Sequence, residues 1–103
     1  MRTIAHWVDG KYYEGNPIGR FAVENPGTGE VEAELLQASD ADLDHAVEVA
    51  RRAQKEWAKV SLAKRTEIMF RMRQLVLDHQ DEMAKMIVAE HGKNYSDAVG
   101  EIQ

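Results

Sequence analysis

The sequence contains no cysteine, only two prolines and seven glycines among 103 residues, and no long apolar run. Without cysteine the chain can form no disulfide, no thiolate metal site and no thiol nucleophile of its own. Glycine and proline are too few for a low-complexity linker. Hydrophobic residues at 44% and charged residues at 30% match an ordinary globular domain, so whole-chain disorder is not expected. No window approaches the ~18 apolar residues of a membrane span. The opening Met1-Arg2-Thr3-Ile4 lacks the marks of a signal or transit peptide, so a cytoplasmic protein with no membrane partner is expected. A net charge of −5 lacks the basic excess that displaces counterions from phosphates, which argues against a nucleic-acid partner.

What is present begins with short β-favouring runs. Asp9-Gly10 stands between Ile-Ala-His-Trp-Val and Lys-Tyr-Tyr-Glu and predicts a two-residue hairpin turn with strands at residues 4–8 and 11–14. Residues 15–19 form a loop around Pro17. A second extended pair, residues 20–25 and 30–37, is joined by Pro26-Gly27-Thr28-Gly29, whose glycines supply the positive φ of a reversal. Alternation of Phe21 and Val23, and of Val31, Ala33 and Leu35, predicts one buried face per strand. Gly27-x-Gly29 is not a dinucleotide loop, because the third glycine would fall at Glu32.

The remainder, residues 39–103, reads as helices. Ser39 is an N-cap with Asp42 in the capping-box position, and the helix it opens ends near Lys59. Ser61 caps a second helix, whose Leu62, Ile68, Met69, Met72, Leu75 and Val76 share a face. A break at residues 78–80 starts a third, which runs to Gly92 as the left-handed C-terminal residue. Ser96 is expected to cap a fourth helix, with Asp97 in its first turn. The fold class is thus α+β, with N-terminal β-hairpins over residues 1–37 followed by three to four helices, and a chain that stops just as a helix has begun is expected to be truncated.

No catalytic constellation emerges. His6, His45, His79 and His91 lack the i, i+4 spacing of a zinc helix. Asp78, Asp81 and Glu82 suit a helix N-terminus, and Ser61 and Ser96 are accounted for as caps. Eight of the thirteen basic residues fall between Arg51 and Arg73, a pattern expected of solvated helix faces rather than of an anion-binding patch.

Three separated stretches nevertheless line up in order: Trp7-Val8-Asp9-Gly10; Asn25-Pro26-Gly27-Thr28-Gly29-Glu30; and Glu90-His91-Gly92-Lys93 followed by Asp97-Ala98 and Gly100-Glu101. With Ala46-Val47, the run from Ala50 to Trp57 and Arg65-x-x-Ile68, they resemble the N-terminal segment of the NAD(P)-dependent aldehyde dehydrogenase superfamily, and within it the CoA-acylating methylmalonate-semialdehyde dehydrogenases. The resemblance implies part of the NAD-binding domain of an α/β fold. For the parent enzyme it implies oxidation of malonate or methylmalonate semialdehyde with NAD, loss of carbon dioxide and release of an acyl-CoA. The catalytic cysteine, the NAD loop and the CoA-handling residues of that family fall beyond position 103, so this chain alone is expected to bind neither cofactor and to be inactive.

Some family members hold a monovalent cation at positions corresponding to Glu90 and the backbone carbonyls of Val23 and Glu24, and the resemblance carries that site over alongside a purely structural role for Glu90. Lys93 is expected as a helix-end cation. The implied partners are the remainder of the parent dehydrogenase or a second copy, in a homo-oligomer. The alternative is a stand-alone, non-enzymatic interaction module. As a fragment the chain is expected to expose apolar surface near Trp57 and at positions 69–72.

Overall fold

The computed structural model describes residues 2–103; Met1, the first residue of the β-rich part, lies outside them. The chain divides into two compact units, one formed by Met1–Val23 and Val31–Lys59, the other by Glu24–Glu30 and Val60–Gln103.

The first unit is built on short strands and one long helix. Strand β1 (Arg2–Ile4) pairs in parallel with β5 (Val31–Gln37), setting Arg2 beside Ala33 and Ile4 beside Leu35. Strands β2 (His6–Val8) and β3 (Lys11–Tyr13) form a separate antiparallel pair. Their turn is the expected one: Asp9 has φ 57° and Gly10 φ 72°, the doubly left-handed geometry that an Asp-Gly pair tolerates and a twisted hairpin requires. The single strand expected over residues 4–8 is therefore two strands in two sheets, parted at Ala5. Strand β4 (Gly19–Glu24) completes the order β1-β5-β4. The Ile18 N–H donates to the Gln37 carbonyl at 3.0 Å and the Asn25 N–H to that of Glu30 at 2.9 Å, so β4 and β5 run in opposite directions about the 25–30 turn. An exposed Arg20–Glu34 ion pair at 3.1 Å bridges them.

Burial departs from strict alternation. Ala33 and Leu36 are the buried residues of β5, three apart, whereas Phe21, Val31 and Leu35 are exposed. Helix α1 (Asp40–Trp57) starts at Ser39 with the complete capping box: the Asp42 N–H donates to Ser39 Oγ and the Ser39 N–H to Asp42 Oδ2.

The second unit is helical. Ser61 caps α2 (Leu62–Asp78), its Oγ accepting from the Lys64 N–H. Helix α3 (Gln80–His91) follows after one residue, His79, which ends α2 and begins α3 with no side-chain cap hydrogen bond. Its Nδ1 lies 3.2 Å from Glu82 Oε1 instead.

Helix α4 (Tyr95–Ile102) is capped by Asn94, not by Ser96 as its sequence suggests. Asn94 Oδ1 accepts from the Asp97 N–H at 3.0 Å while its Nδ2 donates to Asp97 Oδ2 at 3.1 Å. Ser96 sits inside the first turn and donates its hydroxyl to Asn94 Oδ1. An amide has a donor to offer the N3 carboxylate as well as an acceptor for the N3 amide, so Asn94 makes two contacts where one was anticipated. Ala84 of α3 and Ala98 of α4 are fully buried in this unit, and α2 has no buried residue.

Candidate functional site: the turn and helix-end junction

Two of the three stretches that carry the family resemblance, the 25–30 turn and the end of α3, meet in the second unit. The 25–30 turn is self-locked: Asn25 Oδ1 accepts from the Gly27 N–H at 2.9 Å, and the Asn25 carbonyl accepts from the N–H groups of Thr28 and Gly29 at 3.2 and 2.7 Å. The Glu30 N–H donates to Thr28 Oγ1. Across from it, α3 ends at Gly92 in the left-handed region with φ 81°, its N–H donating to the Val88 carbonyl. A Cβ on Gly92 would stand 3.0 Å from Pro26 Cγ and 3.7 Å from the Gly27 nitrogen. Glycine is thus required twice at this position, for its φ and for its lack of a side chain. Gly92→Ala is expected to destabilise the chain by about 2 kcal/mol, the sum of left-handed strain and a tight contact, read as a lower urea midpoint at unchanged m-value.

Glu90 and Glu24, two of the residues implied for a monovalent cation, flank this junction in sequence. Glu90 is the penultimate residue of α3, two before Gly92, and Glu24 ends β4, two before Pro26; both are exposed. Val23 belongs to the other unit. Among the described residues no group of three or more His, Asp or Glu side chains is gathered to hold a metal. Lys93, expected as a helix-end cation, forms an ion pair with Glu101 and so ties the entry of α4 to its last turn. That ammonium holds the Glu101 carboxyl below the usual carboxylate range, through its hydrogen bond first and its charge second.

A second polar cluster clamps α3 to α4. The Tyr95 hydroxyl donates to Asp81 Oδ1 at 2.6 Å, and Lys85 Nζ lies 2.8 Å from Asp81 Oδ2. Lys85, then Tyr95, lowers the Asp81 pKa, and Asp81 in turn raises both of theirs. All three side chains are open to solvent, as befits a surface strut rather than a reaction centre.

In the first unit the one buried charged residue among those described is Asp42, 3% exposed. Beyond the capping box its carboxylate accepts from the Asn16 N–H at 2.9 Å and from the Tyr13 hydroxyl at 3.3 Å. These donors, the Asn16 N–H foremost, pull its pKa below the ordinary value against the upward push of burial. The cap is legible from Ser39 and Asp42 alone; the ties to Asn16 and Tyr13, 26 and 29 residues away, carry no local signal.

Among the described residues the glycine-bearing 25–30 turn does not open a helix. The turn bearing Gly27 and Gly29 leads into a strand, whereas a pyrophosphate is held where a glycine loop opens a helix. Ser39 and Ser61 spend their hydroxyl oxygens on helix caps. No helix among the described residues is long and apolar enough to cross a membrane.

Comparison with known proteins gives this arrangement its class. The family model for the aldehyde dehydrogenase family matches residues 12–103, and the chain belongs to that family. It is 39% identical over all 103 residues to malonate-semialdehyde dehydrogenase 2 of Oceanobacillus iheyensis, covering 21% of that protein. Among solved structures it is similar to a methylmalonate-semialdehyde dehydrogenase of Sinorhizobium meliloti complexed with NAD, at 40% identity and a TM-score of 0.94 over 98% of this chain and 21% of that one. The methylmalonate-semialdehyde dehydrogenase of Oceanimonas doudoroffii gives a TM-score of 0.95 at 37% identity, over all of this chain and 21% of that one. The chain therefore spans about a fifth of the length of the relatives it matches. The expected α+β architecture, strands followed by four helices, is that of the corresponding part of this fold.

Proposed function

We propose that this chain is the N-terminal structural segment of a cytoplasmic, oligomeric, NAD-dependent and CoA-acylating semialdehyde dehydrogenase. The parent oxidises malonate or methylmalonate semialdehyde to an acyl-CoA with loss of carbon dioxide. The observation that carries this reading is the identity of 39–40% to malonate- and methylmalonate-semialdehyde dehydrogenases along essentially the whole chain. When NAD and CoA are bound they supply the hydride acceptor and the acyl acceptor.

The residues present contribute support rather than chemistry. The 25–30 turn and the end of α3 lock one another through Pro26 and Gly92, and Asp42 fastens the 15–16 loop to the start of α1. Neither arrangement includes a nucleophile or a phosphate cradle. The isolated chain is accordingly expected to show no saturable heat on titration with NAD in a calorimeter. Joined to the remaining four-fifths of the Sinorhizobium meliloti relative, it is expected to reduce NAD in the presence of semialdehyde and to need CoA for turnover. Saturable NAD binding by the isolated chain, or a folded fusion whose NAD reduction ignores CoA, would overturn the proposal.

A further inference from the structure

Asp9 is the one non-glycine residue with positive φ among those described, at 57°, and it and Gly10 are both exposed. Neither the Asp9 carboxylate nor the Gly10 N–H has a hydrogen-bond partner among the described residues. A Cβ on Gly10 would meet nothing within 4 Å, and an open groove of about 510 Å³ lies between the turn and Ala46, Ala50 and Ala53 of α1. The strands joined by the turn have three residues each and form a sheet of only two strands, a hairpin that is marginal without support. A carboxylate therefore stands next to an unhindered, unengaged amide in a turn with room to distort.

We infer that Asp9-Gly10 is a site of spontaneous covalent modification, where the Gly10 nitrogen closes on Asp9 Cγ and leaves an isoaspartyl linkage that a carboxyl methyltransferase can methylate. The N–Cγ bond forms as the carboxyl loses its hydroxyl and the amide its proton, together as one water, giving a cyclic imide. A second water then opens the ring. Attack at Cγ restores the aspartate. Attack at the main-chain carbonyl carbon of residue 9 breaks its bond to the Gly10 nitrogen and routes the backbone through Cβ and Cγ. The carboxylate freed in this way takes the methyl group of S-adenosylmethionine, and S-adenosylhomocysteine leaves. The reaction uses residues 9 and 10 alone and does not depend on the proposed function.

Elimination points to the same residue. Asp9 is the only aspartate or asparagine of the chain that precedes glycine. Asn16 and Asn25 precede proline, whose nitrogen has no hydrogen to give up. Asp40, Asp42, Asp44, Asp78, Asp81 and Asp97 lie within helices, and Asn94 caps one. The hairpin also gives the modification a structural effect. An extra backbone atom enters a two-residue turn whose register sets Val8 beside Lys11 and His6 beside Tyr13. Tyr13 donates its hydroxyl to Asp42 at 3.3 Å, so a disturbed hairpin reaches the buried carboxylate.

The test holds the 103-residue chain in warm neutral buffer made with oxygen-18 water. Peptides are then read by electron-transfer fragmentation, which tells the two isomers apart and locates the isotope. Residue 9 is expected to take up oxygen-18 and to become isoaspartyl at a rate within ~10-fold of that in a free peptide of residues 4–14, since so small a hairpin opens readily. The aged chain is expected to accept labelled methyl groups from S-adenosylmethionine, through an isoaspartyl methyltransferase, in proportion to its isoaspartyl content. Asp9→Asn retains a turn-forming pair and loses ammonia in place of water, and is expected to convert at least ~5-fold faster. Gly10→Ala is expected to convert at least ~5-fold slower, because a Cβ crowds the attacking nitrogen. Alanine at φ 72° also loosens the turn, so fraying alone would push that variant in the opposite direction. The purified isoaspartyl form is expected to melt several degrees below the aspartyl form.

A residue 9 that stays unmodified and free of isotope after the peptide has converted overturns the inference. Conversion in Gly10→Ala as fast as in the parent chain overturns it as well, as does faster conversion at a helical aspartate. An isoaspartyl form with an unchanged melting midpoint overturns the link from the turn to Asp42.

Discussion

Asp42→Ala is expected to be the most damaging side-chain truncation in the chain, lowering its thermal midpoint by about 10 °C or more by far-UV circular dichroism. One carboxylate there answers the N–H groups of Ser39 and Asn16 and the hydroxyl of Tyr13, at 2.9 to 3.3 Å, in a site 3% exposed. Truncation leaves all three donors facing an apolar methyl, which costs far more than an absent surface contact.

The same group sets an acid limit. Its folded pKa is depressed, so the stability it contributes is fully present above the unfolded value, near 3.8, and disappears as pH falls through the lower folded value. Asp42→Asn should therefore flatten the loss of stability below about pH 4 without abolishing it. Asp81 and Glu101 are depressed in the same direction, by Lys85 and Lys93 respectively, and they remain in the variant. An acid limb of unchanged steepness in Asp42→Asn would refute this account.

Gly15→Ala is the second large effect, expected to cost about 3 kcal/mol or more in denaturant unfolding. Gly15 has φ 62°, and a Cβ there would fall 2.2 Å from Asp42 Oδ1 and 2.5 Å from its Cγ. The glycine is small so that the 15–16 loop can close over the carboxylate it hydrogen-bonds. The two substitutions should consequently be non-additive. In an Asp42→Ala background the obstructing atoms are gone, and Gly15→Ala should cost little beyond its left-handed strain. Strict additivity would show that Gly15 is needed for its backbone angle alone.

These sites mark where sequence reading succeeds and where it stops. The Asp9-Gly10 turn and the Ser39–Asp42 box were legible because their partners lie within three residues, and the chemistry of a short ring does not depend on what surrounds it. The pairing of β1 with β5 was not, since three residues beginning at Arg2 carry no mark of a partner 31 positions on. Asn94 displaced Ser96 because both are good caps two residues apart, and the choice turned on a second hydrogen bond to Asp97. The apolar faces were correctly seen as helical stripes. Periodicity reports that a face is apolar without saying which surface covers it, and so Met69, Met72 and Leu75 stand exposed. At the functional junction the turn and the glycine stop were each readable alone, but their meeting through Pro26 and Gly92 is a non-local fact.

That meeting has a consequence for the order in which the protein is made. The 25–30 turn leaves the ribosome early, yet the compact unit it belongs to is otherwise residues 60–103. Its packing partner Gly92 is synthesised roughly 65 residues later, a wait of about 3–13 s at 5–20 residues per second. During that interval the turn has its own Asn25 and Thr28 hydrogen bonds and the flanking β4–β5 pairing, but not the contact with Gly92. The helical unit therefore cannot be finished by a nascent chain in sequence order: it must reach back across α1 in the polypeptide and collect a piece already made.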